Sequence, residues 1–149
     1  MIDAGDTRAA VLAAARGWIG TPYRHQQARR GVGADCIGLV RGIWRDVYGA
    51  EPERPGAYTA DWGDMTGEEP LIAAARRHCR EIAVGEALPG DLILFRWRRH
   101  LPAKHAGIVT ATGFIHAYER HAVMETAMVP QWRSRIAAAF AFPDPTETR

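Results

Sequence analysis

Asp35-Cys36 heads a run in which Ile37, Val40, Trp44 and Val47 recur at spacings of three and four, and His105 and His116 follow far downstream. The spacing predicts an amphipathic helix from Asp35 to about Tyr48, capped by Asp35 and ended by Gly49. A cysteine in the first turn of a helix meets the positive end of the dipole, which favours thiolate over thiol. It also meets free N–H groups that can receive an oxyanion. A cysteine taken alone is more often a small buried core residue. Here the glycine-containing loop before it, with Gly31 and Gly33, lets backbone approach the sulfur closely and favours a nucleophile. Asp35 is given the capping role only, because its charge would oppose a thiolate.

His105 opens the apolar run Ala106-Gly107-Ile108-Val109, and His116 lies between Ile115 and Ala117, eleven residues later across a Thr112-Gly113 turn. Either histidine alone reads as a strand-end or core residue. Paired across that turn, the two imidazoles stand on neighbouring strands. The chemistry this supports is proton transfer from Cys36 to His105, giving a thiolate–imidazolium pair, with His116 holding the other ring nitrogen of His105. Cys36 should then react with alkylating agents well below the pH of a free thiol, and far faster than Cys79. Tyr23, behind Thr21-Pro22, is either a loop aromatic or a hydroxyl donor to the developing oxyanion.

These residues need a scaffold, and the pattern along the chain supplies one. Thr7 to Ile19 reads as an alanine-rich helix, stopped by Gly20-Thr21-Pro22, and Tyr23 to Ala34 as a polar loop. Glu51 to Gly67 lacks periodicity and is a candidate substrate-facing loop. Glu68 to Ile82 reads as a third helix, with Cys79 on its buried face beside Leu71, Ala75 and Ile82. After Pro89-Gly90 the pattern turns strand-like: Asp91 to Trp97, His105 to Ala111, Gly113 to Tyr118, His121 to Val129 and Ile136 to Phe142. Helices first and strands second predict an α+β fold, with an antiparallel sheet packed on the Cys36 helix.

The 149 residues, 47% hydrophobic and 24% charged, fit one domain over 1–149 with a core that needs no staples. No apolar stretch is long enough to span a bilayer, and the N-terminus does not read as a secretory signal. No membrane association is expected. The net charge is only +2, but arginine is clustered at 29–30, 76–77 with 80, 96 with 98–99, and 133 with 135. These groups read as solvated faces or as grips for carboxylates. No nucleic-acid-binding motif appears. The two cysteines lack the close Cys or His partners that seed a zinc site, so no metal is expected.

Together these segments resemble the NlpC family of bacterial cell-wall cysteine peptidases, from about Arg16 to Phe142. Gly20-Thr21-Pro22-Tyr23-Arg24 resembles the family's tyrosine segment, and Asp35-Cys36-Ile37-Gly38-Leu39-Val40 its nucleophile helix. Pro89-Gly90-Asp91-Leu92 resembles the strand that opens the sheet, His105-Ala106-Gly107-Ile108-Val109 the base strand, and Ile115-His116-Ala117 the third polar segment. Ile37 replaces the serine most relatives have there. With Arg41-Gly42-Ile43-Trp44 and Trp132-Arg133, it makes the chain look more like the branch found with phage tails and gene transfer particles. The resemblance implies a compact papain-like fold, catalytic Cys36, His105 and His116, and Tyr23 on the oxyanion side. It further implies hydrolysis of peptidoglycan stem peptides at the γ-D-glutamyl–diamino acid bond through a thioester, with no cofactor. Partners would be peptidoglycan and phage-tail or phage-like particle proteins. A chain made in the cytoplasm would then reach the cell wall or periplasm in such a particle or through lysis. Two other readings stay open: an amidase or acyltransferase on a different amide, and a non-catalytic tail component that recognises cell wall.

Overall fold

The computed structural model describes residues 4–53 and 69–145. Helix α1 (Ala4–Trp18) buries Val11, Ala15 and Trp18, and Gly20 in a left-handed conformation (φ 94°) ends the turn that follows it. Helix α2 (Cys36–Tyr48) crosses α1 where the Trp18 ring lies over Gly42, a position at which any Cβ would collide with the indole. The indole N–H donates to Asp46 Oδ2 at 2.8 Å and fixes the crossing. Gly49 closes α2 with φ 86°, its N–H donating to the Arg45 carbonyl. The expected stripe of α2 packs on the core, but Leu39 and Ile43, between its members, lie deepest.

Inside the segment expected to be a loop, β1 (Ala28–Arg29) and β2 (Gly33–Ala34) form a two-stranded antiparallel hairpin around Gly31. The predicted third helix is shorter than expected. Helix α3 spans Pro70–His78, and Cys79 turns the backbone extended at φ −128°, ψ 161°. Arg80–Ile82 then becomes β3, because its backbone can pair with Ala139 to Ala141 at the margin of the sheet. Cys79 is half-buried at that corner instead of on a helix face, and Ile82 packs in a different cluster. Most of the irregular Glu51–Gly67 stretch lies outside the described residues.

The remaining strands are β4 (Leu92–Phe95), β5 (His105–Val109), β6 (Gly113–Ala117), β7 (Val123–Ala127) and β8 (Ile136–Ala141), with a short helix α4 (Pro130–Arg133) before the last. They form an antiparallel sheet of order β3-β8-β4-β5-β6-β7. Alternation puts Leu92, Leu94, Ala106, Ile108, Ile115 and Phe140 in the main core with α1 and α2. Ile93, Phe95, Phe114 and Ala139 form a second, smaller cluster, against which Met128, Trp132 and Ile136 pack. The architecture is α+β with helices preceding the sheet, as the order of periodicities predicts. Among the described residues no helix is long and apolar enough to cross a membrane.

Candidate active site

Asp35 shapes the head of α2. Its Oδ1 accepts the Gly38 N–H at 2.8 Å and its Oδ2 accepts the Gln26 N–H at 2.7 Å, so one buried carboxylate caps the helix and ties down the preceding loop. Gly38 permits this closeness, since a Cβ there would run into the Gln27 carbonyl. Cys36 follows in the first turn and is 8% exposed. Its thiol donates to the Lys104 carbonyl at 3.3 Å, which sets the sulfur beside the residue that leads into β5. The backbone N–H groups of Ala106, Ile37 and Cys36 itself act to lower the thiol pKa.

His105 begins β5 and His116 stands on β6, and the structure brings the two rings together. His105 Nε2 and His116 Nδ1 share a hydrogen bond of 2.7 Å. This uses Nε2 of His105 and leaves its Nδ1 for a reacting proton. The β5–β6 ladder pairs Ile108 with Ile115 and Val109 with Phe114 near the turn, and beyond those rungs the imidazole bond joins the strands. A wall of rings surrounds the pair: Phe95, Trp97 and Trp132 lie 5.8, 5.2 and 5.9 Å from His105, and Phe114, Tyr118 and Trp132 lie 4.4, 5.2 and 5.2 Å from His116.

Burial governs the protonation of these groups. It pushes the Cys36 thiol up to about 12, with the Asp35 charge adding to the rise and the three backbone N–H groups opposing it. Burial pulls His105 down to about 3, with His116 contributing, and His116 down to about 4. Both directions favour the neutral thiol and neutral imidazole at rest. Burial of both groups and the Asp35 charge thus act against the thiolate–imidazolium pair expected from the sequence. Cys79 is likewise pushed up to about 12 by burial.

Tyr23 reaches the site through backbone, its residue bridging Ala34 and its N–H donating to the His121 carbonyl at 3.1 Å. The ring is partly buried against the core, and burial raises its hydroxyl pKa, with Cys36, Asp35 and Glu119 adding to the rise. A phenol held protonated is a donor. A cavity of about 490 Å³ is lined by Ile37, Trp44, Leu71, Leu94 and Ala106 among others. Ile37 and Ala106 directly follow Cys36 and His105 in the chain. Several clustered arginines are occupied within the chain: Arg76 pairs with Glu81, Arg77 with Glu53, and Arg96 with Glu69.

Two neighbours of the histidines escaped the sequence reading. Trp132 packs edge-on or tilted against both imidazoles, and Thr126 Oγ1 lies 2.8 Å from His116 Nε2. Only the β6–β7 register, which sets Thr126 opposite Phe114 and so diagonal to His116, reveals the threonine. Cys36 and Cys79 are both free thiols, and no group of three or more metal-binding side chains occurs among the described residues.

The NlpC/P60 family pattern matches residues 20–140, which include all four of these site positions. Among characterised proteins, the chain is 32% identical over 113 residues to the probable endopeptidase NlpC of Escherichia coli K12, covering 74% of this chain and 62% of that one. It thus spans less than two thirds of that relative's length. Among solved structures, the NlpC/p60 domain of the peptidoglycan hydrolase SagA is 28% identical with a TM-score of 0.64, over 91% of this chain and 98% of that one. An NlpC/P60 family protein from Bacillus cereus shares the fold at 17% identity and a TM-score of 0.66, over 96% of this chain and 44% of that one. With the pattern spanning most of the sequence and the fold agreeing, the chain belongs to the NlpC/P60 family.

Proposed function

We propose that this chain is a cysteine endopeptidase that hydrolyses peptidoglycan stem peptides at the bond between the D-glutamate γ-carboxyl and a diamino acid. One observation carries the catalytic part: the His105–His116 hydrogen bond holds His105 through Nε2, one residue after the Lys104 carbonyl that accepts from the thiol of a first-turn cysteine. Membership of the NlpC/P60 family, and the likeness to a domain of a peptidoglycan hydrolase, support the substrate.

In this reading Cys36 Sγ attacks the amide carbonyl while its proton passes to His105. Tyr23 and the first-turn N–H groups of α2 donate to the oxyanion, and His116 stabilises the imidazolium. His105 returns the proton to the leaving amine, which departs as the C–N bond breaks and a thioester remains. Water, deprotonated by His105, then opens the thioester, releasing the carboxylate and restoring the thiol. The same reading places the action at the cell wall, reached in a phage-like particle or through lysis. That route rests on Ile37, Arg41-Gly42-Ile43-Trp44 and Trp132-Arg133 alone.

Digestion of purified peptidoglycan containing a diamino acid, by wild type and Cys36→Ala, with mass analysis of the products, tests the proposal. Cleavage at the glutamyl–diamino acid bond by wild type, reduced at least about a thousandfold in the variant, is the expected result. A Cys36-dependent cut elsewhere would move the substrate to the amidase or acyltransferase reading. Wall binding with no cut by either protein would overturn the catalytic assignment.

A further inference from the structure

The hydrogen-bonded series does not stop at His116. His105 Nε2 meets His116 Nδ1 at 2.7 Å, and His116 Nε2 meets Thr126 Oγ1 at 2.8 Å. A neutral imidazole carries one N–H, so each bond in this series fixes the direction of the next. For His105 to take a proton at Nδ1, its Nε2 must hold a hydrogen and donate it to His116 Nδ1. His116 must then hold its own hydrogen on Nε2 and donate it to Thr126. In the reverse direction Thr126 donates to His116 Nε2, His116 Nδ1–H donates to His105 Nε2, and the His105 hydrogen sits on Nδ1, where it cannot act as a base.

We propose that Thr126 is a positioning residue whose hydroxyl accepts from His116 Nε2–H and thereby selects the base-competent tautomer of both histidines. The inference rests on the reading of His105 as general base. Exposure permits this direction, and a protonated His105 requires it. His116 is fully buried, whereas Thr126 is half-buried on β7, at the margin of the sheet. A half-exposed hydroxyl gives its hydrogen to water and keeps a lone pair for the ring, while the buried ring has no solvent to satisfy its Nε2. When His105 becomes an imidazolium, Nε2–H must donate, and only the accepting orientation of Thr126 leaves every nitrogen in the series paired. A branched residue fits the strand, so valine conserves shape and β propensity while deleting the hydroxyl.

The test compares Thr126→Val and Thr126→Ser by nitrogen-15 NMR of the histidine rings and by the rate of Cys36 alkylation, neither of which needs a substrate. In wild type and Thr126→Ser, both rings are expected to carry hydrogen on Nε2. In Thr126→Val, the ring signals should shift toward the Nδ1–H form, with Cys36 alkylation slowed roughly tenfold or more, the effect of leaving a buried polar group unpaired. On a cleaved peptidoglycan peptide, the loss should fall on kcat with KM within about twofold. Wild-type ring signals in Thr126→Val, or a valine-like spectrum in Thr126→Ser, would overturn the inference. Failure of wild type to cut peptidoglycan would instead overturn the substrate reading, and the ring signals would still decide the role of Thr126.

Discussion

Asp35 answers two opposed demands. Its carboxylate satisfies the Gly38 and Gln26 N–H groups, yet its charge opposes ionisation of the neighbouring Cys36 thiol, which the proposed reaction needs. Asp35→Asn separates them. The amide oxygen keeps the cap at Gly38, while the NH2 group now faces the Gln26 donor. We expect a stability loss of about 1–2 kcal/mol together with a lower Cys36 pKa, seen as alkylation that rises severalfold at neutral pH. A slower rate in this variant would show that the charge is not what holds the thiol protonated. At this scale the sequence was informative about residue types. The meeting of His105 with His116 was legible from spacing across a turn, and the Cys36 position in the first turn followed from its helical period. The push toward a neutral pair was not legible, because it depends on burial beneath Phe95 and Trp97 at the end of β4 and Trp132 in α4, two segments distant from Cys36 in the chain.

At the scale of elements, the head of α2 depends on how closely another backbone approaches it. Gly38→Ala would force the Gln27 carbonyl away, loosening both the Asp35 cap and the small β1–β2 hairpin. The expected cost is about 2 kcal/mol or more, measured by denaturant unfolding, with loss of turnover exceeding that of any surface glycine. An unchanged unfolding midpoint would mean that the loop relaxes freely. The helices and the later strands were readable from period, since each hides one face. β1, β2 and β3 were not. Two-residue strands have no period, and Arg80–Ile82 becomes a strand only because β8 offers it an unpaired edge. Thr126 was hidden for the same kind of reason: its partner is chosen by register, which a single strand does not record.

Across the whole molecule, two imidazoles enter the fold neutral, and this ties stability to acidity. Their affinities for protons fall from 6.5 to about 3 at His105 and about 4 at His116, so the unfolded chain binds more protons than the folded one as pH drops below 6.5. Their contribution is complete above pH 6.5 and is lost progressively as pH falls toward 4. Between pH 7 and pH 4.5 the melting temperature should fall by about 5 °C or more, and a His105→Gln, His116→Gln double variant should show a flatter profile. Glu53, held at about 2 by Arg77 and His78, adds its loss only at lower pH, so this window isolates the histidines. A double variant as acid-sensitive as wild type would assign the loss to other groups.

The sheet order has a consequence in time. β8, the last strand of the described chain to leave the ribosome, lies inside the sheet between the edge strand β3 and β4. Until it arrives, β4 has an open edge and β3 has no neighbour, and Trp132, just before it, has not yet closed over the histidines. Such long-range pairing forms late in folding. A nascent chain therefore carries Cys36 and both imidazoles before β8 and Trp132 exist to close the sheet around them, and their assembly waits on that last described strand.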